Sequence, residues 1–336
     1  MKVPVKVVEA VQKAERIVLA THINPDGDAV GSLLGLMRAL IKMNKQVFAF
    51  MEEPVPAIYR FMPGSARVQT NLDEMQAFVA GSPGNCLGIS LDCGDRKRLG
   101  RYSEALLDIH PFVNIDHHQK NGNFGDINWV EPGRSSTGEM VFDLLEVMGA
   151  EISEKTAQCL YAAIVTDTGS FKYESTRGHT LNVACKLLRL GVRPEKIASD
   201  IYDNWSLGRL QLLQTVLATL EIYSKERIAV IRVTQSMLER TFTTMDDTEE
   251  FINLPRSVRS VKVAVFLKEV DTNFISVSLR AKGECDVASI AAGFGGGGHR
   301  NASGFRSRGF SLDEIRDRIV ARITKVLDQS NYSHGM

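Results

Sequence analysis

The sequence predicts an α/β protein with an N-terminal parallel-sheet domain and a smaller C-terminal mixed α/β domain. Short apolar runs of strand length alternate with segments whose apolar residues recur at helical spacing through the first half of the chain. Several of those runs end in acids or imidazoles, and ligands in open α/β sheets bind at such strand ends. In the second half, a glycine-rich stretch, GFGGGGHRNASGF at 293–305, separates two helical segments. A chain of 336 residues can bury two cores. The expected division is 1–191, a helical connector at 192–222, and 223–336.

In order, residues 16–20 (RIVLA) read as a strand and 29–43 as a helix, with THINPDGDAVG turning between them. Residues 46–51 (QVFAFM) are a second strand, and Pro54, Pro56 and Pro63 then punctuate a loop region. The run 86–91 (CLGISL) ends in Asp92, and 112–115 (FVNI) ends in Asp116, His117 and His118. Residues 135–148 open like a capped helix, and a second helix over 151–165 stops at Thr166, Asp167, Thr168 and Gly169. The pattern from 178 to 220 is helical, broken near Gly191 and Pro194. Strands follow at 227–233, 261–270 and 274–279, and helices at 286–292 and 311–327 flank the glycine-rich loop.

Composition narrows the function. Forty basic and forty acidic side chains balance, which argues against sequence-independent gripping of long duplex nucleic acid, since that requires many neutralised phosphates. Five widely spaced cysteines in mostly apolar runs read as reduced core residues rather than a disulfide framework or zinc site. The N-terminus lacks a signal-peptide apolar region, and nowhere do 18 apolar residues run together. A cytoplasmic protein without membrane association is expected.

The polar residues at the expected element ends are His22, Asp26, Asp28, Asp92, His117 and Asp167. Each has a plain alternative: NPDG makes an Asx turn with a helix cap, and DCGD and DTG end elements as turns. Capping needs no imidazole, however, and His22 stands four residues before Asp26. Oxygen and imidazole donors without thiolate suit manganese or magnesium, with cobalt or zinc as substitutes. Four clustered carboxylates repel one another, and two divalent cations cancel their charge. A pair of ions that binds phosphoryl oxygens and acidifies a shared water points to phosphate-ester hydrolysis, with Asp92 as the natural bridge.

The motifs THINPDGDAVG, SLDCGD, NIDHHQ and VTDTGSF, in that order, resemble those of the DHH phosphoesterase superfamily. GGGGHRNASG resembles the signature of the first type of DHH-associated domain. The resemblance implies that His22 and Asp26 hold one ion, that Asp28, His117 and Asp167 hold the other, and that Asp92 bridges them. It also implies that His118 lies beside the scissile phosphate, that Asp116 orients the histidines, and that the active site occupies a cleft between the domains. Gly295 to Gly298 let backbone N–H groups converge on an anion, with His299 and Arg300 adding a donor and a charge. By resemblance, Gly296, Gly297, Gly298, His299 and Arg300 bind the nucleotide, with Ser303 and Asn301 as helpers. Arg98 and Arg134 are further candidates for substrate contact, and Trp129 and Trp205 fit packing better than base stacking.

The branch most similar is the bacterial nanoRNase A type. It implies a manganese-dependent hydrolase of short oligoribonucleotides, linear or cyclic dinucleotides, or 3′-phosphoadenosine 5′-phosphate, acting through metal-activated hydroxide and often homodimeric. Pyrophosphate or polyphosphate hydrolysis and non-catalytic nucleotide sensing are the alternatives.

Overall fold

A computed structural model describes residues 3–81, 84–283 and 285–332. The chain separates into two compact units, Met1–Asn204 and Trp205–Met336. The first contains α1 (Val5–Lys13), β1 (Arg16–Thr21), α2 (Gly27–Lys42), β2 (Gln46–Phe50), α3 (Leu72–Ala80), β3 (Cys86–Leu91), α4 (Ser103–Leu107), β4 (Phe112–Asp116), β5 (Ile127–Val130), α5 (Thr137–Val147), α6 (Glu154–Asp167), α7 (Gly178–Arg189) and α8 (Pro194–Tyr202).

Its five strands are all parallel, in the order β2-β1-β3-β4-β5. β3 is buried along its whole length, as a mostly apolar run requires of a strand covered on both faces, and the hydroxyl of Ser90 within it donates to Asn114 Oδ1 (2.9 Å). Ile17 and Leu19 of β1 point into one core, with Leu33, Leu36 and Leu160, while Val18 and Ala20 point into the other, with Met75 and Leu106. Helix α2 is buried around nearly its whole circumference, so it packs inside the unit.

The second unit contains α9 (Leu207–Leu217), β6 (Glu221–Tyr223), β7 (Ile228–Val233), α10 (Gln235–Thr241), α11 (Asn253–Ser257), β8 (Val263–Asp271), β9 (Phe274–Ala281), α12 (Val287–Ala292), β10 (Gly297–His299), β11 (Ala302–Arg308) and α13 (Leu312–Tyr332). Its sheet runs β10-β11-β9-β8-β7-β6 and is antiparallel except between β7 and β8.

Residues 192–222, read from the sequence as a connector, are divided between the units. Ile197 and Ile201 of α8 enter the first core, and Leu212 and Val216 of α9 enter the second. The glycine-rich segment is not all loop, because Gly297 to His299 pair in register with Gly304 to Ala302. Asp167 is the last residue of α6 rather than part of the turn beyond it. Among the described residues, no helix is long and apolar enough to cross a membrane.

Candidate metal centre

The Thr21 hydroxyl donates to the Leu91 carbonyl (2.8 Å), fastening the ends of β1 and β3 together. These strands flank the position where the strand order reverses, the place at which open α/β sheets bind ligands. His22 follows β1, Asp92 follows β3, and β4 delivers Asp116 with His117 and His118 beyond it. Asp92 adopts a left-handed φ of 59°, which aspartate tolerates better than most residues.

The ligand atoms of His22, Asp26 and Asp92 all lie within 4.8 Å of one another, and so do those of Asp28, His117 and Asp167. Asp92 faces the two groups with different oxygens. Its Oδ2 is 3.6 Å from His22 Nε2, while its Oδ1 is 3.4 Å from His117 Nε2. His117 Nε2 also lies 3.4 Å from Asp167 Oδ2 and 3.7 Å from Asp28 Oδ2, and His22 Nε2 lies 4.0 Å from Asp26 Oδ2.

These separations are long for hydrogen bonds. They match the roughly 3–4 Å between ligand atoms around an octahedral ion with bonds of about 2.1 Å. His22 Nε2 is fully buried and has no hydrogen-bond partner among the described residues, an orphan that a cation would satisfy. The oxygen and imidazole donors and the orphaned nitrogen therefore fit divalent cations.

The capping and ligand readings of Asp26 coexist. Its Oδ1 accepts from the Ala29 N–H (3.0 Å) at the start of α2, and its Oδ2 is the atom near His22. Asp28 sits buried in the first turn of α2, where the helix dipole favours negative charge.

Burial, then the charges of Asp92 and Asp167, push the Asp28 carboxyl well above the usual range. Burial also lifts Asp167 to about 7, with Asp92 and Asp26 adding to it against His117. Burial opposes charge on His117, but contact with Asp92 outweighs it and raises the imidazole well above its ordinary value. Asp92 goes the other way, since His117 and His22 outweigh its burial and hold it far below the carboxylate range. Such a cluster is short of positive charge.

His117 Nδ1 lies 3.4 Å from the Arg134 carbonyl oxygen, which favours a lone pair on Nε2 toward the cluster. His118 Nδ1 lies 2.7 Å from Asp116 Oδ1, and the Asn121 amide donates to Asp116 Oδ2 (2.6 Å), so Asp116 orients His118 and is itself held. His22 Nδ1 is 2.8 Å from the Ile23 carbonyl and 2.9 Å from Arg98 Nη2. One nitrogen cannot donate to the first and accept from the second; a metal on Nε2 selects donation to Ile23.

Arg134 does not face solvent for a substrate. It is buried and paired with Glu139 (2.9 Å) and Asp143 (2.6 Å), because a guanidinium fits two carboxylates where α5 begins. Trp129 is core, and Trp205 lies tilted against Phe251 and beneath Arg209. Sequence reasoning passed over Asn121, Ser32 and Thr137. Only the capping signal at SSTG marked the last of these, and it says nothing of distant partners.

In the second unit, Gly298 has a φ of 140°, and a Cβ there would lie 2.6 Å from the Ala302 carbonyl oxygen, so the β10–β11 pairing demands glycine. A Cβ on Gly296 would collide with Gly304 and Phe305, whereas Gly297 has open space. Arg300 is exposed, and its carbonyl accepts from the Val287 N–H (2.9 Å). Ser303 is buried with its hydroxyl donated to the Val287 carbonyl (2.6 Å). The His299 side chain lies outside the described part of the structure.

Residues 16–164 match the DHH family N-terminal domain, and residues 226–327 match the DHHA1 domain. The bifunctional oligoribonuclease and PAP phosphatase NrnA of Thermus thermophilus is 31% identical over 99% of this chain and 96% of its own. The chain belongs to the DHH family. The Bacillus subtilis protein of the same description is 27% identical over 94% of this DHH chain and 96% of its own. A solved exopolyphosphatase-related protein from Bacteroides fragilis superposes with a TM-score of 0.90 at 30% identity, covering 96% of each chain.

Proposed function

We propose that the protein is a phosphoesterase of short nucleotides that works with two divalent cations, Mn²⁺ being the best fit to its oxygen and imidazole donors. The observation that carries this reading is the division of Asp92, one oxygen toward His22 and the other toward His117. His22 and Asp26 would hold one ion, Asp28, His117 and Asp167 the other, and Asp92 both. Bound there, the ions would supply Lewis-acid polarisation of phosphoryl oxygens and acidify a solvent molecule.

The chain's own residues do the rest. Asp116, braced by Asn121, keeps the His118 imidazole in one tautomer beside the phosphate. Gly296, Gly297, Gly298, His299 and Arg300 offer N–H groups and a charge to the anionic end of the substrate, with Ser303 holding the hairpin at its base. The substrates we infer are oligoribonucleotides of a few residues and 3′-phosphoadenosine 5′-phosphate, in keeping with what the NrnA relatives' descriptions name, together with linear and cyclic dinucleotides, which those descriptions do not name.

The test incubates the chain and Mn²⁺ with 3′-phosphoadenosine 5′-phosphate, pApA, pGpG, cyclic di-AMP and a five-nucleotide RNA. The expected products are AMP and phosphate from 3′-phosphoadenosine 5′-phosphate, AMP from pApA and cyclic di-AMP, GMP from pGpG and mononucleotides from the RNA, and Asp92→Ala should cut turnover by at least about a hundredfold with the fold intact. Parent-rate turnover in that variant would refute the assignment. Hydrolysis of inorganic polyphosphate is a second reading, favoured by the likeness to the exopolyphosphatase-related structure. Phosphate released from polyphosphate but not from any nucleotide would establish it instead.

A further inference from the structure

The segment that opens α5 touches three of the six clustered side chains, Asp28, Asp92 and His117, the first of them from more than a hundred positions away in sequence. The Thr137 N–H donates to Asp28 Oδ2 (2.6 Å), and the Gly138 N–H donates to Asp28 Oδ1 (2.8 Å). The Thr137 hydroxyl donates to Asp92 Oδ1 (3.1 Å). Three residues earlier, the Arg134 carbonyl faces His117 Nδ1.

Lone-pair accounting gives this clamp a consequence. Each carboxylate oxygen accepts two hydrogen bonds. Asp28 Oδ1 is filled by Gly138 and by the Ser32 hydroxyl (2.9 Å). Among the described residues Oδ2 takes Thr137 alone, and it is the oxygen facing His117 Nε2 at 3.7 Å. Asp28 thus keeps one lone pair for a metal, aimed at the cluster. On Asp92 the Thr137 hydroxyl restrains Oδ1, the oxygen nearer His117, and leaves Oδ2 turned to His22.

The clamp is itself rigid. Thr137 is fully buried, Ser136 caps the helix by accepting from the Glu139 N–H (3.1 Å), and Arg134, Ser135 and Thr180 converge on the Glu139 carboxylate.

We propose that Thr137 is a positioning residue of the metal centre. Its hydroxyl fixes the rotation of the shared carboxylate, and its N–H with that of Gly138 makes Asp28 a one-oxygen ligand. The role rests on the two-cation reading above. Outer partners of metal ligands set affinity by limiting how far the ligands turn, and losing one typically costs about 10–100-fold.

Calorimetric titration of Mn²⁺ into the metal-free chain tests this without any substrate. Thr137→Val keeps the volume and the N–H but removes the hydroxyl, and should weaken Mn²⁺ binding by about 10–100-fold. It should also shift the visible absorption of the Co²⁺-loaded chain. Thr137→Ser should restore both. If Thr137→Val does not match the parent's circular dichroism without metal, Thr137→Ala takes its place under the same criteria. Parent-like Mn²⁺ affinity and cobalt spectrum in the hydroxyl-free variant would overturn the positioning role. A parent chain that takes up no Mn²⁺ would overturn the two-cation reading, and the positioning role with it.

Discussion

Glu139 is buried at 2% exposure with hydrogen bonds from the Arg134 guanidinium, the Ser135 hydroxyl and N–H and the Thr180 hydroxyl. Burial pushes its carboxyl up, but Ser135, Arg134 and Thr180 outweigh that and hold it below the ordinary glutamate value. A carboxyl depressed in the folded state stabilises fully above its unfolded value, about 4.3. That contribution is lost as pH falls through the lower folded value. Glu139→Gln should therefore cost about 3 kcal/mol at neutral pH, because it breaks a buried pair. The gap from the parent should narrow below about pH 4.3, as urea denaturation of the metal-free chain would show. A gap that stays constant between neutral pH and pH 3 would contradict this account. The sequence offered Arg134 as a candidate for substrate contact; its pairing with Glu139, and with Asp143 one turn further on, became visible only in three dimensions.

At the scale of elements, the centre depends on how closely α2 and α6 approach. Gly27, Gly31 and Gly35 form a stripe along α2, and a Cβ on each would meet Thr166 at 2.5 Å, Cys159 and Ala163 at 2.6 and 2.8 Å, and Leu160 at 2.5 Å. The helices run antiparallel along this stripe, which sets Asp28 at one end of α2 beside Asp167 at the end of α6. Gly31→Ala meets a backbone carbonyl and should destabilise by about 1–3 kcal/mol, whereas Gly35→Ala meets side-chain atoms, chiefly Leu160 Cδ2 and Cγ, rather than backbone and should cost less. Chemical denaturation of both variants decides the order, and equal costs would sink the packing argument. The strands that lead to His22, Asp92 and Asp116 were legible because each is a mostly apolar run of strand length stopped by polar residues. β5 and β10 were not, since INWV alternates weakly and GGH has poor strand propensity, and neighbouring strands hold both in place. Ser32, Asn121 and Thr137 were equally hidden, because each acts through a partner that sequence spacing does not reveal.

Over the whole molecule, the balance of forty basic and forty acidic side chains argues against sequence-independent gripping of long nucleic acid. The sequence motifs and the strand order agree on where the chemistry belongs: beyond the carboxyl ends of β1, β3 and β4, at the reversal of strand order. The central claim is that Asp92 joins two cation sites. Anomalous diffraction from a crystal soaked in Mn²⁺ tests it most directly. The account predicts two peaks, one against His22 and Asp26 and one against Asp28, His117 and Asp167, each within bonding distance of a different Asp92 oxygen. A single peak, or two that leave Asp92 untouched, would contradict it.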